Sequence, residues 1–485
     1  MSEIFDIKVF ASERDNILIA PAGFGKTHTI SECLKHTDGR QLILTHTQAG
    51  VASIKDKLQK CSISKDSYNV ETISSFAKRY VVSFSNAPNL PDETDGNFYS
   101  YFIENATKIL SLQLVRDIIK ISYTGLFVDE YQDCTIEQHK LVLALAEVLP
   151  THILGDPLQG IFGFKGQRLV DLDNALEMGR FNIRYKLDTP HRWIKSGNPQ
   201  LGQELLQIRD DLENGREIDL LRYSKIEFKQ GAYSDNYRFL MEILKNCNSV
   251  LVIDSDSKRM TTRENFVVAF KYIPLLIEAF DGRDFYESAI HFDNKDGLPS
   301  IDILHKFISS KFSNLDNWYD KANKRFKNKR DPAEERELSE IKGLVGKLAL
   351  NYSFLDMKAV ISKIGNLRGV NCARKDLLNS LGKSMEYAHN SKITVLDAMR
   401  NYRNGIRRVG RKMYGKCVGT TLLTKGLEFS TVIVLDADKF KDPQNFYVAF
   451  SRCTKRLIVL GHNSKMRPYP AAVFQSAAAG RPCTL

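Results

Sequence analysis

Asn16-Ile17-Leu18-Ile19-Ala20-Pro21-Ala22-Gly23-Phe24-Gly25-Lys26-Thr27 is a short apolar run that turns through two glycines into a lysine and a threonine. The run is apolar without alternation, which predicts a strand buried on both faces of a parallel sheet. Residues 28–34 predict a helix, so the whole segment reads strand, loop, helix. Gly23 and Gly25 let the backbone turn its N–H groups inward, and the helix N-terminus adds a positive end. The pattern is a P-loop with Ala20 where the first glycine usually stands. It assigns Ala20, Pro21, Ala22, Gly23, Phe24, Gly25, Lys26, Thr27 and His28 to phosphate and nucleotide binding, with Lys26 on the β- and γ-phosphates. The Thr27 hydroxyl is the first candidate ligand for Mg²⁺.

Downstream, residues 126–128 are a second apolar run that ends in Asp129-Glu130-Tyr131-Gln132-Asp133. A carboxylate at the end of a buried strand is where such a site holds its metal, so Asp129 is the second candidate Mg²⁺ ligand. Glu130 is the candidate to orient the attacking water and accept its proton. Each of these two segments alone is a modest signal. Together, in this order, they specify nucleoside triphosphate chemistry.

Further apolar runs lie at 41–45 and 152–154, and a second group at 250–253, 431–435 and 457–460. Strands alternating with helical stretches predict a doubly wound α/β layer, and two groups predict two α/β lobes. Residues 76–123 are long for a crossover, with a turn-rich patch at 86–97. Residues 265–413 read as helical and basic, with KANKRFKNKR at 321–330 followed by an acidic run at 334–340. A chain of 485 residues suits several domains rather than one.

Bulk composition narrows the class. Hydrophobic residues make up 43% and charged residues 26%, the balance of a globular protein. The net charge of +11 favours a polyanionic partner. Eight cysteines without a C-x-x-C pair argue against a disulfide scaffold or a zinc ribbon. No basic region leads into a long apolar run near Met1, and no apolar stretch matches a bilayer, so a cytoplasmic protein with no membrane partner is expected.

Six more segments carry a family resemblance. They are Thr45-His46-Thr47-Gln48-Ala49, Thr72-Ile73-Ser74-Ser75-Phe76, the stretch from Gly155-Asp156-Pro157-Leu158-Gln159 through Phe162, Phe164 and Lys165, Leu187-Asp188-Thr189-Pro190-His191-Arg192, Thr424-Lys425-Gly426-Leu427-Glu428-Phe429 and Tyr447-Val448-Ala449-Phe450-Ser451-Arg452. With the P-loop and the acidic segment they resemble, in order, the motifs of UvrD/Rep-like superfamily 1 DNA helicases. The resemblance covers most of both lobes and neither intervening segment.

The resemblance implies two RecA-like parallel-sheet domains with helical insertions. Its partition is 1–77 and 124–195 for the first domain, 78–123 for its insertion, 196–264 and 413–485 for the second domain, and 265–412 for a basic helical insertion. It implies ATP and Mg²⁺ as cofactors. Gln159 would sense the γ-phosphate, Arg192 and Arg452 would act as arginine fingers, Glu428 would close on the nucleotide, and His191 would stack on the base. With Lys26 and Glu130 these complete the catalytic set. Thr45, Thr47, Ser74, Phe76, Phe162, Phe164 and Lys165 would line a single-stranded DNA track, where aromatic faces stack on bases and cations follow the backbone. The basic stretch 400–412 around Tyr402 is a further candidate contact.

The sequence departs from the family in three places. No glutamine matching the family's adenine-reading residue stands in 5–14, and Leu422 and Leu423 replace a histidine and a serine. The chain is also short, and in this it resembles the helicase-like subunit of antiphage systems such as Gabija. Three functions are therefore expected to compete: a 3′-to-5′ DNA translocase and helicase, a DNA-sensing ATPase that regulates a nuclease subunit, and an RNA helicase.

Overall fold

A computed structural model describes residues 5–84, 90–91, 97–161, 167–255, 260–271, 273–277, 283–294, 300–409 and 415–469. The protein is α/β, with two six-stranded parallel sheets. The chain divides into two compact units, one formed by 1–232, 407–412 and 425–485, the other by 233–406 and 413–424.

The first unit holds the whole of the first sheet. Its strands are β1 (Asn16–Ile19), β2 (Gln41–Thr45), β3 (Tyr68–Thr72), β4 (Gly125–Val128), β5 (Thr151–Gly155) and β6 (Ile183–Lys186), in the order β3-β2-β4-β5-β1-β6. The four inner strands are buried at every position, as their unbroken apolar runs predict. The two edge strands differ. β3 alternates buried and half-buried residues, and β6 is largely exposed. All pairings are parallel, so the carboxyl ends of β1, β4 and β5 share one edge of the sheet. The P-loop, the acidic segment and Gln159 follow those three strands directly.

The core on one face packs Phe76, Tyr80, Phe98, Phe102 and Tyr131 against the apolar strands. Helix Ile136–Ala146 enters that layer with a capping box, in which Thr135 and Gln138 satisfy each other's backbone N–H. The first unit also holds β7 (Ile226–Gln230), β11 (Phe429–Leu435) and β12 (Cys453–Gly461), paired in parallel with β12 between the other two.

The second unit holds β8 (Val250–Asp254), β9 (Leu275–Leu276) and β10 (Lys416–Thr420), paired in parallel with β10 in the middle. Most of the rest of it is helical, apart from a short antiparallel pair of strands, Tyr319–Asp320 and Arg325–Phe326. Helices Ser300–Lys311, Pro332–Leu350, Phe354–Asn366 and Lys375–Ser391 bury a separate core that includes Phe307, Trp318, Met357 and Met385. The acidic run begins the longest of these helices. Asp331 caps it, Pro332 occupies its first turn, and Glu334 and Glu335 complement its positive end. Among the described residues no helix is long and apolar enough to cross a membrane.

Candidate functional site

The candidate site lies within the first unit and grows from the end of β1. The Ala20 N–H donates to the Gly155 carbonyl at 3.0 Å, which carries the strand pairing into the loop. Gly23 and Gly25 then take φ of +80° and +105°, the left-handed region that disfavours side chains. Space forbids them too: a Cβ on Gly23 would sit 2.9 Å from the Arg192 Cβ and 3.0 Å from the Trp193 ring. Gly25 opens helix Lys26–Cys33, whose first turn leaves backbone N–H groups without helical acceptors. Lys26 is nearly buried, donates to the Ala20 carbonyl at 3.2 Å and lies 3.8 Å from Glu130 Oε1.

Asp129 and Glu130 follow β4. Glu130 has φ of +56°, unusual for a residue with a side chain, and its N–H donates to Asp129 Oδ1 at 2.9 Å. Gln132 donates to the Glu130 carboxylate and accepts the Asp156 N–H at 2.9 Å, tying this turn to the one after β5. Burial resists the charge on Glu130, but Lys26 and Lys425 outweigh it and lower its pKa. Asp129 shifts upward, through burial first and the neighbouring Glu130 second. Glu130 is thus the better-stabilised carboxylate of the pair.

The turn after β5 is held from several sides. Asp156 is fully buried and accepts from Gln159 Nε2 at 2.6 Å and from Arg209 Nη1 at 2.5 Å. The Arg209 guanidinium lies 5.3 Å from the Tyr447 ring centre. Gln159 Oε1 accepts from Arg452 Nη2 at 3.3 Å, and the Gln159 carbonyl accepts from Lys425. Lys425 also bonds both oxygens of Asp133. One glutamine is therefore fixed through its amide and its backbone to two cations from the far end of the sequence.

Arg192 and Arg452 complete the cluster. The Arg192 N–H donates to the Gly23 carbonyl at 3.0 Å, while its guanidinium reaches the Ser451 carbonyl and Glu428, each at 2.6 Å. Arg192 Nε is buried and has no hydrogen-bond partner among the described residues. Arg452 is 2% exposed and donates to the Val448 carbonyl and the Ser451 hydroxyl. Burial, reinforced by the charge of Arg192, lowers its pKa to about 10, so it remains a cation at neutral pH. His191 is exposed, and its Cδ2 would lie 3.4 Å from a Cβ on Gly25, at the mouth of the loop. His28 stands exposed on the P-loop helix.

The residues present fit a nucleoside triphosphate and its metal. Lys26 and the N–H groups of the helix start suit phosphate oxygens. Thr27 and Asp129 offer the hard oxygen donors that Mg²⁺ takes, alongside phosphate and water. When bound, that ion would neutralise charge on the phosphate oxygens.

The expected DNA residues are more dispersed. Thr45 is buried at the end of β2, and Thr47 is exposed and caps helix Gln48–Lys60 by accepting from the Gly50 N–H at 3.0 Å. Ser74 is half-buried. Phe76 is fully buried in the core, 4.5 Å from the Tyr80 ring, and offers no face to a base in this arrangement. Phe162, Phe164 and Lys165 lie outside the described residues, as does the end of the basic stretch 400–412. Arg400 within that stretch pairs with Asp397.

Asp133, Lys425, Gln132, Asp156, Arg209 and Tyr447 join the site without an assigned role in the sequence reading. Five of them sit inside recognised segments, which is the signal that marks them. Arg209 sits on helix Pro199–Glu213, where an arginine reads as a solvated charge.

Residues 7–165 match the family model of an AAA domain. No curated protein matches the chain. Among solved structures it is similar to the PRRSV helicase, 10% identical, covering 94% of this chain and 54% of that one with a TM-score of 0.33. It is also similar to the arterivirus nonstructural protein 10 helicase solved with DNA, at 12% identity, 52% and 49% coverage and a TM-score of 0.27. A third likeness is to the Pif1 helicase of Candida albicans, at 11% identity, 96% coverage of both chains and a TM-score of 0.39. The chain spans about half the length of the two viral proteins.

Proposed function

We propose that this chain is an ATP-dependent single-stranded DNA translocase and 3′-to-5′ DNA helicase of UvrD-like superfamily 1. The observation that carries the reading is Gln159. It follows β5 beside the P-loop, and both its amide and its carbonyl are held by cations, Arg452 and Lys425, from segments that resemble the family's last two motifs. A residue so placed registers the γ-phosphate and passes its presence to the segment that follows, which includes Phe162, Phe164 and Lys165. That segment is where the resemblance puts base stacking.

In this reading Lys26 binds the β- and γ-phosphates, and Glu130, kept ionised by the cations around it, orients water and takes its proton. Arg192 and Arg452 stabilise the charge spread over the transferring phosphoryl group, an effect worth roughly 10³–10⁵ in rate. His191 and Glu428 flank the nucleotide. The first RecA-like domain is 1–77 with 124–195, the second 196–264 with 413–485, and the insertions are 78–123 and 265–412. The proposal extends to antiphage defence beside a nuclease subunit, in the cytoplasm.

The decisive assay measures ATP hydrolysis with no nucleic acid, single-stranded DNA, duplex DNA and RNA, followed by strand displacement on 3′- and 5′-tailed duplexes. Stimulation by single-stranded DNA and displacement from the 3′ tail are expected. Stimulation without displacement would instead favour a DNA-sensing regulator, and stimulation by RNA alone an RNA helicase.

A further inference from the structure

Three side chains with metal-ligating atoms meet on the first unit, apart from the oxygen donors assigned to Mg²⁺. His28 and Glu32 stand one helical turn apart on helix Lys26–Cys33, and Cys61 ends helix Gln48–Lys60. The imidazole nitrogen, the carboxylate oxygen and the thiol sulfur all lie within 4.8 Å of one another. We propose that His28, Glu32 and Cys61 bind a divalent transition-metal ion of the Zn²⁺ class.

The geometry is close to what such an ion requires. Ligand bonds of about 2.0–2.3 Å in a tetrahedron put neighbouring ligand atoms about 3.3–3.8 Å apart. His28 Nδ1 and Glu32 Oε1 are already at 3.8 Å. His28 is exposed and Glu32 and Cys61 are partly so. Three protein ligands leave a fourth position for water.

Ser31 ties the two helices together at this point. It is fully buried, and its hydroxyl lies 3.4 Å from His28 Nδ1 and 3.6 Å from Cys61 Sγ while donating to the His28 carbonyl at 2.7 Å. Its oxygen faces the ligating atoms of both helices and accepts from the Cys61 thiol, a contact that a bound ion would replace. Lys35 bonds both oxygens of Glu32 at 2.7 and 2.9 Å, so this carboxylate stays ionised and already has an outer partner of its own.

The donor set selects the ion. A thiolate and an imidazole favour Zn²⁺ over Mg²⁺, whose hard oxygen preference is met by Thr27 and Asp129. Lys57 and Lys195 lie within electrostatic range of His28. Those two lysines oppose a cation, and the negative charges of Glu32 and the Cys61 thiolate offset them. Occupancy would pin the helix that carries Lys26 and Thr27 to the end of the following helix.

The test uses the full chain, stripped with EDTA, desalted, and titrated with Co²⁺ and then Zn²⁺ without nucleotide. One equivalent of Co²⁺ should produce a thiolate-to-cobalt absorption band that Zn²⁺ displaces. C61S should remove the band, and C61S and H28N should each weaken Zn²⁺ binding by more than about 100-fold, the upper end of what losing an outer partner costs. Both positions are at the surface, and melting curves in EDTA should match the wild type. Zn²⁺ should also shield Cys61 from iodoacetamide in the wild type and not in H28N. A wild-type chain without the band, or a band and shielding that persist in C61S and H28N respectively, overturns the proposal. Because no nucleotide is present, the outcome is separate from that of the helicase reading.

Discussion

Lys425 Nζ lies 2.6 and 2.5 Å from the two carboxylate oxygens of Asp133, a residue 292 positions earlier in the chain. The two side chains are only 6% and 3% exposed. Burial raises the Asp133 pKa to about 7 even against the opposing charge of Lys425. Removing the lysine alone leaves a buried acid without its cation. Lys425→Met should therefore cost about 3–5 kcal/mol, and adding Asp133→Leu should recover part of that loss. A double-mutant cycle by denaturant unfolding measures the coupling. Additive losses would mean that the pair does not form in solution.

Hydrolysis should depend on Lys26 and Glu130 in different ways. Lys26→Ala removes the cation meant for the β- and γ-phosphates, so nucleotide binding and turnover should both fall. Glu130→Gln keeps the shape and the hydrogen-bonding partner of Gln132 but cannot accept a proton. It should bind ATP and DNA and release phosphate very slowly. Phosphate release and nucleotide anisotropy, measured together, distinguish the two. Near-normal turnover in Glu130→Gln would remove it as the general base.

Arg192→Ala and Arg452→Ala should each reduce kcat by roughly 10³-fold or more with a smaller effect on nucleotide affinity. They should differ in stability. Arg452 is almost fully buried and bonded to Val448, Ser451 and Gln159, so its removal should also lower the melting temperature. Arg192 keeps a buried Nε without a partner among the described residues, and its loss should be tolerated better. Steady-state kinetics beside melting curves check both halves. Unchanged kcat in both variants would confine hydrolysis to the P-loop segment.

What the sequence disclosed follows from burial. The inner strands β1, β2, β4 and β5 are buried throughout and announce themselves as apolar runs. β3 and β6 lie at the sheet edges, and their Tyr-Asn-Val-Glu-Thr and Ile-Arg-Tyr-Lys sequences escape that reading. The P-loop was legible because its glycines are demanded by backbone φ and by the closeness of Arg192. The links among site residues were not. Arg209 becomes meaningful only when the fold sets it on Asp156, and Lys425 only when it meets Asp133.

Acid should destabilise the first unit through His152. Burial lowers its pKa from 6.5 to about 4, and its Nδ1 bonds the Asn16 side chain at 2.8 Å. The unfolded chain takes up the proton near pH 6.5 and the folded chain only near pH 4. Stability from this group is thus complete above about pH 6.5 and falls by about 3 kcal/mol as the pH drops to 4. Denaturant unfolding at pH 7 and pH 4.5 should show a smaller loss in His152→Gln than in the wild type. Equal losses would exclude His152 as a source of the acid sensitivity.

Phe76 is where the motif resemblance and the packing part most sharply. The resemblance puts it on a DNA track, yet its ring is fully buried, 4.5 Å from Tyr80 and 5.5 Å from the Arg79 guanidinium. Phe76→Ala should then act as a core deletion and cost about 3–5 kcal/mol, because the surrounding core cannot close the cavity completely. Phe76→Leu keeps most of the volume and should cost less. At temperatures where each variant is folded, affinity for single-stranded DNA should match the wild type. Loss of one stacked base would instead remove about 1–3 kcal/mol of binding with little change in melting. Melting curves paired with DNA anisotropy decide between them, and a stable Phe76→Ala that binds DNA weakly would return this ring to the DNA path.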